Sequence, residues 1–232
     1  GTVLSMFLCV MSGACYLTTP SFEPGEALRV LEEEGCTHTS ANDTMFLMLM
    51  NHPDFPQRRL RVRGGLAAAA YAVMQQIHDR MGITGVCAGY GLSEASPNIA
   101  LSPHDDSLER RLAGYAFPLP DIEVRIVDPA SGRNRPAGQP GEILIRGWAL
   151  MKGYYKMPEQ TAALFTADGW MRTGDVGEWR DGCLRLIDRA RDFIVTMGGK
   201  TISPSFIENT LRASPYLAEV VVFGHGRKYL AA

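Results

Sequence analysis

Three short clusters in this 232-residue chain combine residue types that could do chemistry together. The first is Gly89-Tyr90-Gly91-Leu92-Ser93-Glu94. Two glycines around an aromatic permit close backbone approach to a flat ligand, and Tyr90 offers a ring for stacking. The Ser93 hydroxyl can donate to a phosphate oxygen, and Glu94 is a hard oxygen ligand suited to Mg²⁺. The second cluster is Arg172-Thr173-Gly174-Asp175. A carboxylate at a strand end can accept two hydrogen bonds from a ribose diol. The third is Asp188-Arg189-Ala190-Arg191-Asp192, followed by Gly198-Gly199-Lys200. Arg189 can grip phosphate or ribose by a forked contact. Taken alone, each cluster also reads as ordinary loop chemistry: a glycine turn with a polar tip, an Asp in a turn, a charged linker.

The elements that must position these clusters fall into two textures. Val3 to Met11 reads as a buried helix stopped by Gly13, and Ala14 to Thr18 as a short strand. Pro24 opens an amphipathic helix with Ala27, Leu28 and Leu31 inward, Glu32 to Glu34 outward and Gly35 at its end. Cys36 to Ser40 reads as a strand, Asp43 as the cap of a helix over Thr44 to Met50, and Leu60 to Arg63 as a strand running into Gly64-Gly65. A helix over Ala67 to Arg80 and a buried run from Ile83 to Ala88 follow. This alternation favours a mostly parallel βα sheet over residues 1–111. From residue 112 to 188 the pattern changes to antiparallel strands with one wet face, at Ile122 to Val127, Glu142 to Arg146 and Leu184 to Asp188. A helix over Ser205 to Ala213 and a strand over Glu219 to Phe223 close the reading.

Composition narrows the function classes. Lys and Arg total 23 against 25 Asp and Glu, a net charge of −2, which is no charge balance for gripping a nucleic-acid backbone. Lysine occurs only at positions 152, 156, 200 and 228. Five cysteines without a Cys-x-x-Cys suggest neither a disulfide framework nor a zinc site, and point to a reducing, cytoplasmic setting, at most peripheral at a membrane. The apolar start of the chain is too short for a transmembrane segment. The five histidines show no metal-ligand spacing, and the methionines at 45, 48 and 50 read as core.

Together, in this order, the clusters resemble the adenylate-forming (AMP-binding) superfamily. Its Tyr-Gly-x-[Ser/Thr]-Glu motif matches Tyr90 to Glu94, and Gly141-Glu142-Ile143-Leu144-Ile145-Arg146-Gly147 with Gly153-Tyr154 matches a second motif. Pro158-Glu159-x-Thr161 and Asp168-Gly169-Trp170 follow in family order, then Thr173-Gly174-Asp175. Arg189 to Asp192 looks like the family's hinge segment, with Arg191 where Lys or Asp is usual. Gly198-Gly199-Lys200-x-Ile202-x-Pro204 matches the loop beyond it. Asn51-His52-Pro53, Leu108-Glu109-Arg110-Arg111, Val127-Asp128-Pro129-Ala130 and Gly226-Arg227-Lys228-Tyr229 are similar to the fatty acyl-CoA synthetase branch.

The resemblance implies a fold and a reaction. The fold is α/β: a parallel βα-sheet portion and an antiparallel, β-barrel-like portion in the large domain (1–188), then a hinge and a truncated small α+β domain (189–232). The reaction is ATP-dependent activation of a fatty or other carboxylic acid to an acyl-adenylate, followed by thioester formation with coenzyme A. Ser93 and Glu94 are the implied catalytic residues, with Glu94 holding Mg²⁺. Gly65, Ala67, Gly89, Tyr90, Gly91, Ser93, Asp175 and Arg189 are implied to bind ATP or AMP, and Gly198 and Gly199 to meet the coenzyme A arm. Arg63 stands where the family has a small or apolar residue. The family's Ser/Thr/Gly-rich phosphate loop and its C-terminal lysine have no match in this sequence. The expectation is therefore an internal fragment, about half a family member in length, inactive alone. A non-catalytic nucleotide- or acyl-binding module, or a subunit completed by a separate missing half or by a homo-oligomer, is the competing reading. A dehydrogenase reading lacks Gly-x-Gly-x-x-Gly after a first strand.

Overall fold

The structure is a computed structural model that describes residues 2–96, 98–189, 194, 195, 197, 201, 202, 204, 207, 208, 211, 217, 220–224 and 226–232. The chain divides into two compact units, Gly1–Gly89 with Pro103–Ala113, and Tyr90–Ser102 with Gly114–Ala232.

The first unit runs α1 (Thr2–Ser12), α2 (Pro24–Glu33), β1 (His38–Asn42), α3 (Asp43–Asn51), β2 (Gly64–Ala68), α4 (Tyr71–Met81) and β3 (Gly85–Tyr90, whose last residue counts with the second unit), and takes back α5 (Leu108–Leu112). The three strands are parallel in the order β1-β2-β3. Glu23 caps α2 by accepting from the amides of Gly25 and Glu26, and Pro24 fills the first helical position. Gly35, at φ +60, ends it while the Cys36 amide reaches back to the Leu31 carbonyl. Leu28 and Leu31 turn inward as their spacing requires, and join Phe46, Met50, Met74 and Ile77 in one apolar core.

Several expectations fail here for identifiable reasons. α1 forms, but Phe7, Leu8, Val10 and Met11 are exposed, Met11 by 83 %. A helix with no polar stripe does not declare which side it buries. Residues 14–18 form no strand among the described residues. The cap of α3 is Asn42, which accepts from the Met45 amide, with Asp43 one position inside. Residues 60–63 are irregular, and the alanine run at 67 and 68 belongs to β2. Alanine favours helix locally, but β1 and β3 on either side capture Gly64–Ala68 as a central strand. Gly65 makes that pairing possible: at φ +149 a Cβ would stand 1.7 Å from the Thr39 carbonyl oxygen. Of the three methionines, Met50 is buried and Met48 lies 45 % exposed.

The second unit is an antiparallel ladder. It contains β4 (Ala100–Leu101), β5 (Tyr115–Pro118), β6 (Ile122–Val127), β7 (Gly141–Gly147), α6 (Pro158–Leu164), β8 (Met171–Arg180), β9 (Cys183–Arg189), β10 (Ile194–Val195) and β11 (Thr201–Ile202). Hydrogen bonding orders the larger sheet β4-β5-β9-β8-β7-β6, while β10 and β11 pair separately. β8 and β9 join through Asp181-Gly182, both at positive φ, in a two-residue hairpin turn. β7 lacks the expected wet face, since Gly141 to Ile145 are all buried. Leu144 on the second face packs with Val127 and Trp170, and buried Glu142 is paired with Arg172 at 2.7 Å. Arg125 and Arg146 both pack on Trp170, their guanidinium carbons 4.0 and 4.6 Å from its ring centroid. Most of the expected helix over 205–213 lies outside the described residues. Of the strand expected over 219–223, Val220 to Val222 are irregular and Phe223 forms a single bridge to Ala231.

Candidate functional site

A bulge in β8 shapes the center of the candidate site. Arg172 stands opposite Leu144 and Val176 opposite Glu142, so Thr173, Gly174 and Asp175 together face Ile143 alone. Extra residues in one strand kink it and re-aim its side chains. Gly174 takes the turn at φ +70. The Thr173 hydroxyl donates to the Ile143 carbonyl at 2.8 Å and accepts from the Asp175 amide at 3.1 Å, which locks the kink. Asp175 stands across from Arg189 of β9, so two of the sequence clusters meet in one register pair.

Tyr90 comes from the other end of the unit and donates its hydroxyl to Asp175 Oδ2 at 2.7 Å. The two residues are 85 positions apart, and each is more than nine-tenths buried (7 % and 8 % exposed). The ring of Tyr90 belongs to the apolar core with Ile99, Ile143 and Met171. At 7 % exposure the ring has little open surface for stacking. A hydroxyl that donates to a buried carboxylate makes one of the stronger neutral-to-ion hydrogen bonds.

Ser93 and Glu94 lie in a 3-10 turn over Ser93–Ala95, which fully buried Ala95 pins and Ser96, at φ 54, terminates. Ser93 is exposed and Glu94 half-buried. Glu94 Oε1 accepts from the Tyr154 hydroxyl at 2.7 Å, and the Glu94 carbonyl accepts from the Met151 amide at 2.8 Å. The carboxylate beside it raises the Tyr154 phenol above its ordinary value, with burial adding to the effect. Tyr154 also lines an open hollow of about 580 Å³ together with Lys152, Tyr155, Lys156 and Phe165.

Among the described residues no group of three or more His, Cys, Asp or Glu could hold a metal ion. Glu94 offers a half-buried carboxylate. That fits Mg²⁺, which keeps waters and phosphate oxygens as most of its ligands and takes one or two carboxylates from the protein.

The remaining candidates stand as follows. Gly91 is exposed. A Cβ on Gly89 would lie 2.9 Å from Leu66, a close but flexible neighbor. Gly65 is half-buried in β2, and Ala67 is wholly buried in the core of the first unit. The side chain of Arg189 and both Gly198 and Gly199 lie outside the described residues. Sequence reasoning gave no role to Thr173, although it stands in the Arg172 to Asp175 cluster, nor to Tyr154. Tyr154 was visible as part of a motif, but nothing local in the sequence pairs it with Glu94.

Comparison with known proteins adds to this geometry. Residues 1–155 match the family described as AMP-binding enzyme, and residues 191–232 match the AMP-binding enzyme C-terminal domain. YngI of Bacillus subtilis is 36 % identical over 229 residues, which is 97 % of this chain and 42 % of that protein. The mitochondrial medium-chain acyl-CoA ligase ACSF2 of Rattus norvegicus is 31 % identical over 230 residues, 97 % of this chain and 37 % of its own length. The structure of O-succinylbenzoate coenzyme A synthetase (MenE) from Bacillus subtilis in complex with AMP superposes with a TM-score of 0.77 at 26 % identity, covering 97 % of this chain and 46 % of that one. The chain thus spans about two-fifths of the length of the curated relatives it matches. No helix among the described residues is long and apolar enough to cross a membrane.

Proposed function

Since the chain belongs to the AMP-binding enzyme family, we propose that it is part of an ATP-dependent acid–CoA ligase and carries that enzyme's nucleotide seat. The single observation behind this reading is the Tyr90–Asp175 hydrogen bond at the β8 bulge. Asp175 receives one hydroxyl from Tyr90 and is the residue that takes the ribose hydroxyls of AMP. Tyr90 flanks the adenine and holds Asp175 in place. Ser93 donates to the α-phosphate, and Gly89 and Gly91 let the nucleotide and acyl group lie close. Glu94 holds Mg²⁺, which when bound neutralises phosphate charge. Gly65 and Ala67 of β2 are assigned to the nucleotide site through their backbone. Arg189, opposite Asp175 in the ladder, contacts ribose or phosphate, and Gly198 and Gly199 meet the coenzyme A arm. In domain terms we assign 1–188 to the large domain and 189–232 to the hinge and small domain.

The acid is a fatty acid in this reading, because acyl-CoA ligases such as the rat protein are among the relatives. The complete reaction yields an acyl-adenylate and pyrophosphate, then a coenzyme A thioester and AMP. The compartment is a reducing one, the cytoplasm among them; the rat relative is named as mitochondrial.

AMP binding to the 232-residue chain, measured by calorimetry with wild type and Asp175→Ala, tests the seat. Wild-type binding reduced at least tenfold by the substitution is the expected result. Equal affinity in both removes Asp175 from the seat. ATP–pyrophosphate exchange with a fatty acid, run on the same chain, tests whether it turns over unaided, and the expectation is that it does not.

A further inference from the structure

We propose that Tyr154 is a positioning residue that sets the Glu94 carboxylate for its cation; this rests on the reading of Glu94 as the Mg²⁺ ligand given above. One segment grips Glu94 twice. The Met151 amide donates to its carbonyl at 2.8 Å, and the Tyr154 hydroxyl donates to Oε1 at 2.7 Å. The first contact fixes where the residue sits. The second holds Oε1 and leaves Oε2 as the ligand oxygen.

Tyr154 is itself held from behind. Its amide donates to Thr161 Oγ1 at 2.9 Å, and that hydroxyl donates on to the Met157 carbonyl at 2.8 Å. Thr161 belongs to α6, so the tyrosine backbone is fastened to a helix. Gly153 allows the approach: at φ +145, a Cβ there would meet Thr161 Cγ2 at 2.6 Å. The relay runs from α6 through Thr161 and Tyr154 to Glu94, 60 residues earlier in the chain. At the far end, buried Ala95 anchors the turn that carries Glu94. Partners of this kind orient a ligating side chain, and their loss typically weakens metal affinity about 10- to 100-fold.

The measurement is the increment in ATP affinity that Mn²⁺ confers over EDTA, for wild type, Tyr154→Phe and Glu94→Gln in the 232-residue chain. Tyr154→Phe keeps the ring and removes only the hydroxyl. The expected result is an increment reduced about 10- to 100-fold in Tyr154→Phe, with ATP affinity in EDTA unchanged. Glu94→Gln should lose the increment entirely. If Tyr154→Phe keeps the wild-type increment while Glu94→Gln loses it, the positioning role is overturned and the metal role of Glu94 stands. If Tyr154→Phe weakens binding equally with and without Mn²⁺, its effect is general packing and the proposal is again overturned. If wild type and Glu94→Gln behave alike, the metal reading fails and the proposal with it.

Discussion

The two units solve the same problem, bringing backbone and polar groups to a defined place, by opposite means. In the first unit a parallel strand is stripped of side chains. Gly65 pairs so closely that its missing Cβ would collide with the Thr39 carbonyl. In the second unit an antiparallel strand is kinked by three residues set against one, and side-chain hydrogen bonds hold the kink. Geometry by omission tolerates almost no substitution. Geometry by hydrogen bond weakens in steps, one donor at a time.

Gly65→Val should therefore produce the largest effect. It combines a 1.7 Å collision with backbone and a φ of +149 that valine does not adopt. A loss on the order of 4 kcal/mol or more is expected, read by urea unfolding. Hydrogen exchange should show the loss in peptides of residues 1–89 first. Equal loss of protection throughout both units would erase the contrast. Tyr90→Phe removes one hydrogen bond to a buried carboxylate in the second unit and should cost about 1–3 kcal/mol. Loss of protection should center on residues 171–180, and a change below about 0.5 kcal/mol would mean that the kink holds Asp175 without help.

Acidification should give the mildest effect and act on both units. In the first, the amides of Glu26 and Gly25 lower the Glu23 carboxyl, and the Arg59 amide with the Arg58 side chain lowers Glu32. In the second, the Arg146 side chain lowers Glu123, and the Ser131 amide and hydroxyl lower Asp128. A carboxyl with a lowered folded-state pKa favors the native state at pH values above its unfolded pKa. That contribution is present above about pH 5 and fades as the pH falls through 4 and below. Urea midpoints between pH 6 and 3 should decline gradually in both units. A flat profile would show that these exposed contacts add nothing.

Much of this architecture was legible in the residues. Pro24, Gly35 and the Leu28–Leu31 spacing mark α2, and the alternation at 122–127 marks β6. The motifs around Tyr90 and Asp175 mark two side chains that the fold joins. What escaped depends on long-range pairing. The alanines at 67 and 68 obey their neighbors in the sheet over their own helix preference, and β7 loses its wet face because Leu144 packs with Val127 and Trp170, distant in the chain. β8 went unread although Asp181-Gly182 is the turn pair that two-residue hairpins require. The Tyr154–Glu94 link spans 60 residues, and no periodicity reaches that far.

The indole on which Arg125 and Arg146 pack has a practical consequence. All three tryptophans, at positions 148, 170 and 179, belong to the same unit, and they range from Trp170 at 2 % exposure to Trp148 at 67 %. Fluorescence excited at the red edge of protein absorption thus observes the antiparallel half and is blind to the parallel one. The molecule carries its own selective lamp, and the antiparallel half can be followed by itself through unfolding without attaching a dye.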